Sequence, residues 1–317
     1  MLNRRHLRVK VLQSLYAFMQ SNNDDLSSGE KELLYSIDKI YELYLFQLML
    51  LTEIVYQEEQ MMHENKSKFL PTDEEMDPNR RMIENKILRR VADNPDLQKK
   101  ARNKGVNWEG EKALVRKLIQ QIKKQAYYKA YMAEEKVDEE IDLRFVLKIV
   151  NKDILPGDAL YSFYEEKSIY WLDDWELVNK MMIKTLKNSQ ESGGELVLMD
   201  LYKDPADKNF AIELFRRCIL NHSDFHNIIS AKTQNWDVER IALMDMIIME
   251  MALTEILKFP EIPVKVSLNE YIELSKIYST PKSKIFVNGV LDKLVEEFIR
   301  DKVINPTVSG LTDKSSQ

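Results

Sequence analysis

Arg4-Arg5-His6-Leu7-Arg8-Val9-Lys10-Val11-Leu12-Gln13-Ser14-Leu15-Tyr16-Ala17-Phe18-Met19-Gln20 is the stretch from which the fold class can be read. Leu7, Val11, Leu15, Phe18 and Met19 recur at helical spacing, which predicts one helix from about Arg4 to Gln20 with a single buried stripe. Tyr16 lies in that stripe region and is expected to be buried. Arg4, Arg5 and Arg8 stand along one side. No acid occurs before Asp24, so cations occupy the positive end of the helix dipole, where each costs about 0.3–1 kcal/mol at low salt.

The same helical reading extends outward. Only 8 Gly and 9 Pro occur in 317 residues, too few turn-formers for a hairpin-rich sheet fold, so the expected class is all-α. A loop at Ser21 to Asp25 precedes a second long helix, about Lys31 to Lys66, with Leu33, Ile37, Ile40, Leu43 and Leu51 on its apolar side. Pro71, Pro78, Pro95, Gly105 and Gly110 divide residues 67–112 into short helices and loops. Leu114, Leu118, Ile122 and Ala126 restore a helical stripe to about Glu135. Further helices are expected near Asp142 to Asn151 and Trp175 to Lys187. Ser192-Gly193-Gly194 is the best linker candidate. A helical block from about Met199 to Lys302 and a polar tail complete the chain. Trp175-Glu176 and Trp236-Asp237 sit at similar places in two helical hairpins, a faint repeat better explained as two ordinary hairpins.

Composition bounds the function. The 44% hydrophobic content supplies a sizeable core, and the 31% charged content suits solvated helix faces. A single cysteine, Cys218, rules out an intramolecular disulfide, argues against a cysteine-based metal site and suits a reducing cytoplasm. The basic start is not followed by an apolar segment of signal-peptide type. Leu43 to Tyr56 is too short and too interrupted to span a bilayer, so no membrane association is expected. The net charge of −6 argues against a uniformly basic surface, but charges beyond about 10 Å are screened from one another, so a local patch is permitted. Residues 274–291 are again free of acids, while carrying Lys276, Lys282 and Lys284.

No glycine-rich phosphate loop, G-x-S-x-G turn or H-E-x-x-H helix is present. His222 and His226, four apart with Asp224 between them, can share a helix face. Two ligands do not make a structural zinc site, so hydrogen-bonded or solvated imidazoles are the preferred reading and no metal or cofactor is expected. Met244, Met246, Met249 and Met251 continue into Ala242, Leu253 and Ile256, the pattern of a core helix. Ser267-Leu268-Asn269-Glu270 reads as a capping box, with Val266 and Tyr271 placed for a hydrophobic staple. Thr280-Pro281 reads as a cap and first-turn pair, yet Lys282, Ser283 and Lys284 follow where acids would be favourable. Exposed amides, a positive dipole end and clustered cations make a phosphate site, and Phe286 offers a ring for base stacking. The alternative is that these are solvated basic faces and Phe286 is core.

Arg4-Arg5-His6-Leu7-Arg8 followed by Leu12-Gln13-Ser14-Leu15-Tyr16 resembles the opening helix of the NusB transcription antitermination family. Ile262-Pro263-Val264-Lys265-Val266 through Asn269-Glu270, then Lys284-Ile285-Phe286-Val287-Asn288-Gly289-Val290-Leu291-Asp292, resembles that family's ending. The resemblance covers the first helix and about Asp207 to Arg300. It implies an all-helical fold of two small bundles that binds boxA-type single-stranded RNA with the ribosomal protein NusE and joins an RNA polymerase antitermination complex, notably on ribosomal RNA operons. Carried over by position, the implied RNA contacts are Arg4, Arg5, Arg8, Ser283, Lys284 and Phe286, with His6, Lys10 and Lys282 as additional candidates. His6 stands where a third consecutive arginine can occur, which makes a phosphate contact there pH-sensitive or absent. Lys282 and Glu250 depart from the acidic and basic residues that relatives often carry.

The organisation that follows is a first core helix at 1–24, an enlarged helical insertion at 25–195 (with part of 25–66 assignable to the core), a C-terminal block at 196–302 and a tail at 303–317. A non-catalytic RNA-binding factor in the cytoplasm is the leading expectation. One alternative is an RNA-modifying enzyme subunit, such as an RNA methyltransferase. That chemistry calls for a glycine-bearing cofactor loop and a nucleophilic cysteine, which the insertion lacks. Another is a helical interaction scaffold, motivated by the charged, breaker-rich stretch 67–112.

Overall fold

The computed structural model describes residues 1–21, 24–233 and 242–304. Trp236 and Asp237, Asn22 and Asn23 of the first loop, and the tail from 305 lie outside the described residues. Helices run in the order α1 (Arg4–Gln20), α2 (Leu26–Lys66), α3 (Asp73–Met76), α4 (Lys86–Ala92), α5 (Pro95–Asn103), α6 (Lys112–Lys124), α7 (Ala126–Ala133), α8 (Glu139–Ile149), α9 (Asp158–Lys167), α10 (Trp175–Glu191), α11 (Pro205–Leu220), α12 (His222–Lys232), α13 (Leu243–Lys258), α14 (Val264–Tyr278) and α15 (Ser283–Arg300). The fold is all-α. Among the described residues, extended pairing is limited to one parallel bridge, Leu2 with Tyr202. No helix among these residues is long and apolar enough to cross a membrane.

Two compact units emerge. One holds Asp38–Leu201 with Met1; the other holds Leu2–Ile37 and the chain from Tyr202. The first is organised around aromatic rings: Phe46 and Trp108 have centroids 4.6 Å apart, as do Tyr164 and Trp175. Two buried indoles donate to α2 carbonyls, Trp108 to that of Phe46 and Trp171 to that of Lys39. The stripe expected from Leu114 to Glu135 is two helices, because Gln125 is extended between α6 and α7.

Asn85 fixes the entry to α4. Its side-chain oxygen accepts from the amides of Ile87 and Leu88, and its nitrogen donates to the Tyr131 hydroxyl and the Asp142 carbonyl. Every hydrogen-bonding position that its nitrogen offers is used at 1% exposure. Loss of a cap costs about 1 kcal/mol, and orphaned buried groups add about 1–3 kcal/mol. Asn85→Ala is therefore expected to lower stability by about 2–4 kcal/mol, measured as a fall in the urea midpoint; an unchanged midpoint would contradict the assignment.

In the second unit α1 packs against α11 and α13, and α13 in turn meets α12, α14 and α15. Met246, Met249 and Met251 are buried with Ile247, Ile248, Leu253 and Ile256, so the methionine run is core, as its continuation predicted. Phe18 and Phe215 meet edge to face at 5.8 Å. The first turn of α2 crosses this pair at Gly29, where an added Cβ would stand 2.8 Å from each ring.

Two local expectations fail for tertiary reasons. Tyr16 is 37% exposed rather than buried; the stripe is carried by Leu7, Val11, Leu12 and Leu15, and Tyr16 turns to the side where Gln20 donates to its hydroxyl. Ser267 and Glu270 form no capping box. Helix α14 already begins at Val264 after Pro263, the Ser267 hydroxyl donates to Glu255 at 2.6 Å, and Glu270 is taken by Arg5. Ionic partners on other helices outcompete the weaker local bonds, and Val266 is left exposed while Tyr271 is fully buried.

Candidate nucleic-acid interface

Every residue implied by the basic first helix and the start of α15 lies in the second unit, and their placements differ sharply. Asn3 caps α1: its side chain accepts from the His6 amide, while the His6 ring Nδ1 accepts from the Asn3 amide. The His6 amide is thus capped within the chain and is not left for an anion. Burial, helped by the charge of Arg5, lowers the His6 pKa below its ordinary value. His6 is accordingly neutral at pH 7 and supplies a cap rather than a cation.

The three arginines each meet a carboxylate. Arg4 pairs with Asp207 at 3.4 Å and lies over the Phe210 ring at 4.9 Å. Arg5 reaches Glu270 through two bonds, 2.9 and 2.6 Å, with its side chain still 61% exposed. Arg8 is buried. Burial opposes its charge, but the two bonds to Glu255 at 2.8 and 2.7 Å overcome that and hold its pKa above the usual value. Glu255, itself fully buried, also accepts from Ser267 and from Tyr271 at 3.0 Å. Arg8 is therefore a core ion pair, with its Nη1 also 3.7 Å from Glu270, and it ties α1 to α13 and α14 instead of facing solvent. Lys10 is likewise buried and engaged.

At the start of α15 the Thr280 hydroxyl accepts from the Ser283 amide at 3.3 Å, and the Ser283 hydroxyl bonds Ser279 and Thr280, each at 2.9 Å. Ser283 is buried within its own turn, and its hydroxyl has no solvent-facing role here. Lys282 and Lys284 are exposed and make no salt bridge among the described residues. Phe286 is half-buried with a contact of its own. Glu273 on α14 has its carboxyl held below the usual range first by Lys276, with smaller contributions from Arg5 and Lys284. It thus lies within electrostatic reach of Arg5 in the first turn of α1 and of Lys284 in the first turn of α15.

Of the candidate cations, Arg4 and Arg5 are paired with Asp207 and Glu270, while Lys282 and Lys284 are exposed at the start of α15. Arg5 is the most available of the paired cations, because an exposed ion pair is worth only about 0–1 kcal/mol and can be exchanged for a phosphate. The pairing of Asp207 with Arg4 and of Glu270 with Arg5 had no signal in the local sequence, since the partners lie 203 and 265 positions apart.

The described residues define an all-helical class of protein, with helices packed in two compact units. The NusB family model matches residues 169–296. The chain is 38% identical over 139 residues to a transcription antitermination protein NusB of Salinibacter ruber, covering 42% of this chain and 87% of that protein. It is 37% identical over 114 residues to the Chloroherpeton thalassium protein of that name and 39% identical over 90 residues to that of Alkaliphilus oremlandii, covering 54% and 65% of those proteins. The chain belongs to the NusB family. No solved structure gives a significant match. The family match starts upstream of α10, and so takes in residues 169–195 that sequence reading had placed in the insertion.

Proposed function

We propose that this protein is a non-catalytic RNA-binding antitermination factor. In this reading it grips boxA-type single-stranded RNA with Arg4, Arg5, Lys282 and Lys284, assembles with the ribosomal protein NusE and acts in an RNA polymerase antitermination complex. The observation that supports the reading is the exposure of Arg5 on α1 and of Lys282 and Lys284 at the start of α15, within a unit that holds most of the family match. Arg8 and Ser283 serve as positioning residues, and Phe286 is the candidate stacking ring. Residues from 38 to about 168 are an addition to the family core, while Leu2–Ile37 belongs with that core, supported by the packing of α1 on α11 and α13.

Cys218 supports the non-catalytic reading. It is fully buried, burial pushes its thiol up, and it donates to the Thr254 hydroxyl, the opposite of an activated nucleophile.

The test is a titration of labelled boxA-type RNA with the full chain across a salt series, with and without NusE. Each phosphate engaged on a single strand contributes a slope of about −0.7 in log K against log salt, so a footprint of four cations gives about −3. NusE is expected to tighten binding. Affinity that is flat with salt, or equal for a scrambled RNA in the presence of NusE, would overturn the reading.

A further inference from the structure

We infer that His222, His226 and Glu250 form a binding site for one divalent transition-metal ion, zinc foremost, that ties α12 to α13. Sequence spacing supplied two of the three donors, because residues four apart on a helix face the same way. The third was invisible locally. Glu250 comes from the middle of α13, and its carboxylate arrives beneath the two rings because α12 packs on that helix.

One donor nitrogen or oxygen from each of the three side chains lies within 4.8 Å of the other two. His222 Nδ1 stands 2.8 Å from one Glu250 oxygen, and His226 Nδ1 stands 3.5 Å from the other. Tetrahedral coordination at zinc–ligand distances near 2.0–2.1 Å places ligand atoms about 3.3 Å apart. The cluster spans that separation, and side-chain rotations of half-exposed histidines suffice to close it.

The site also shows a need for a cation. The Glu250 side chain is 1% exposed, and burying a carboxylate is expensive unless it is paired or coordinates a metal. Its Oε1 has no hydrogen-bond partner, and neither does the His226 Nδ1 that faces it. Two buried donor atoms that point at each other without a hydrogen bond are the arrangement an intervening cation resolves. The histidine side chains are 42% and 43% exposed, which leaves a path for entry and room for water as a fourth ligand. Imidazole nitrogen with carboxylate oxygen suits zinc and its neighbours in the first transition row over calcium or magnesium, which prefer all-oxygen sets. Cys218 is not a donor here, since its thiol is committed to Thr254.

Untagged full-length protein, stripped with a chelator, would be titrated with zinc chloride by calorimetry and with cobalt chloride by visible absorption. One zinc per chain, intense tetrahedral cobalt bands and a zinc-dependent rise in thermal midpoint are expected. His222→Ala with His226→Ala should weaken binding at least about 10-fold, the smallest loss usual for perturbing a metal site, and abolish the thermal shift. The double substitution leaves the buried Glu250 without these partners, so its helical circular dichroism is recorded first, and His222→Gln with His226→Gln, which keeps polar groups beside the carboxylate, serves as the second variant. His63→Ala, on α2 of the other unit, should bind zinc unchanged. Glu250→Gln is a secondary probe only, since it changes a buried group. No stoichiometric binding by the wild type, or binding that survives the double histidine substitution, would overturn the site.

Discussion

Glu255→Ala is expected to lower the stability of the second unit by about 3–5 kcal/mol, the cost of breaking a buried ion pair by removing one partner. The carboxylate accepts four hydrogen bonds, two from Arg8 and one each from Ser267 and Tyr271. Its removal strands a guanidinium that is 4% exposed and two hydroxyls that are wholly buried. Solvent cannot reach these groups without opening the contacts among α1, α13 and α14. Urea unfolding followed by far-ultraviolet circular dichroism measures the loss. An apolar replacement of both partners, Arg8→Met with Glu255→Met, should recover most of it, because no charge then remains to be buried. A single variant with a wild-type midpoint would show that the Arg8 pair is not part of the core.

Arg5→Glu combined with Lys284→Glu should leave the fold intact and weaken boxA-type RNA binding by about 100-fold. Two lost charge-assisted bonds at about 1.5 kcal/mol each account for that factor, and the new carboxylates repel the strand further. The salt slope should fall by about two phosphate equivalents, or about 1.4. Glu270→Gln provides the opposite sign: it releases Arg5 from its two bonds and should tighten RNA binding. Unchanged RNA affinity in the folded double variant would remove α1 and α15 from the interface. Arg8 is excluded from this experiment on purpose, since reversing it would place a carboxylate against Glu255 and confuse unfolding with loss of contact.

In isolation α1 carries three cations near the positive end of its dipole with no acid of its own; in the folded unit carboxylates from other helices meet them. Arg4, Arg5 and Arg8 lack local acids, yet Asp207, Glu270 and Glu255 meet them from α11, α14 and α13. The absence of acids in a stretch of chain says nothing of acids brought beside it by folding. Asn3, directly before the helical stripe, is a cap signal carried by the local sequence, and its side chain accepts from the His6 amide. Conversely, the capping box at Ser267 was a correct local pattern that stronger ionic partners displaced.

Periodicity and composition were enough for the helical class, the α1 stripe at Leu7, Val11 and Leu15, the apolar side of α2 and the burial of the α13 methionines. These depend on which face of a helix is apolar, a property carried within a few turns of chain. The flanking motifs were likewise enough to point to the NusB family. Which charges remain available was settled by folding alone. Arg8 went into the core while Arg5 stayed at the surface, although both belong to the same basic run, because their distant carboxylate partners lie at different depths. The pairing of His222 and His226 with Glu250 has the same origin: a buried charge finds its partners through space, and that distance is not encoded in local spacing.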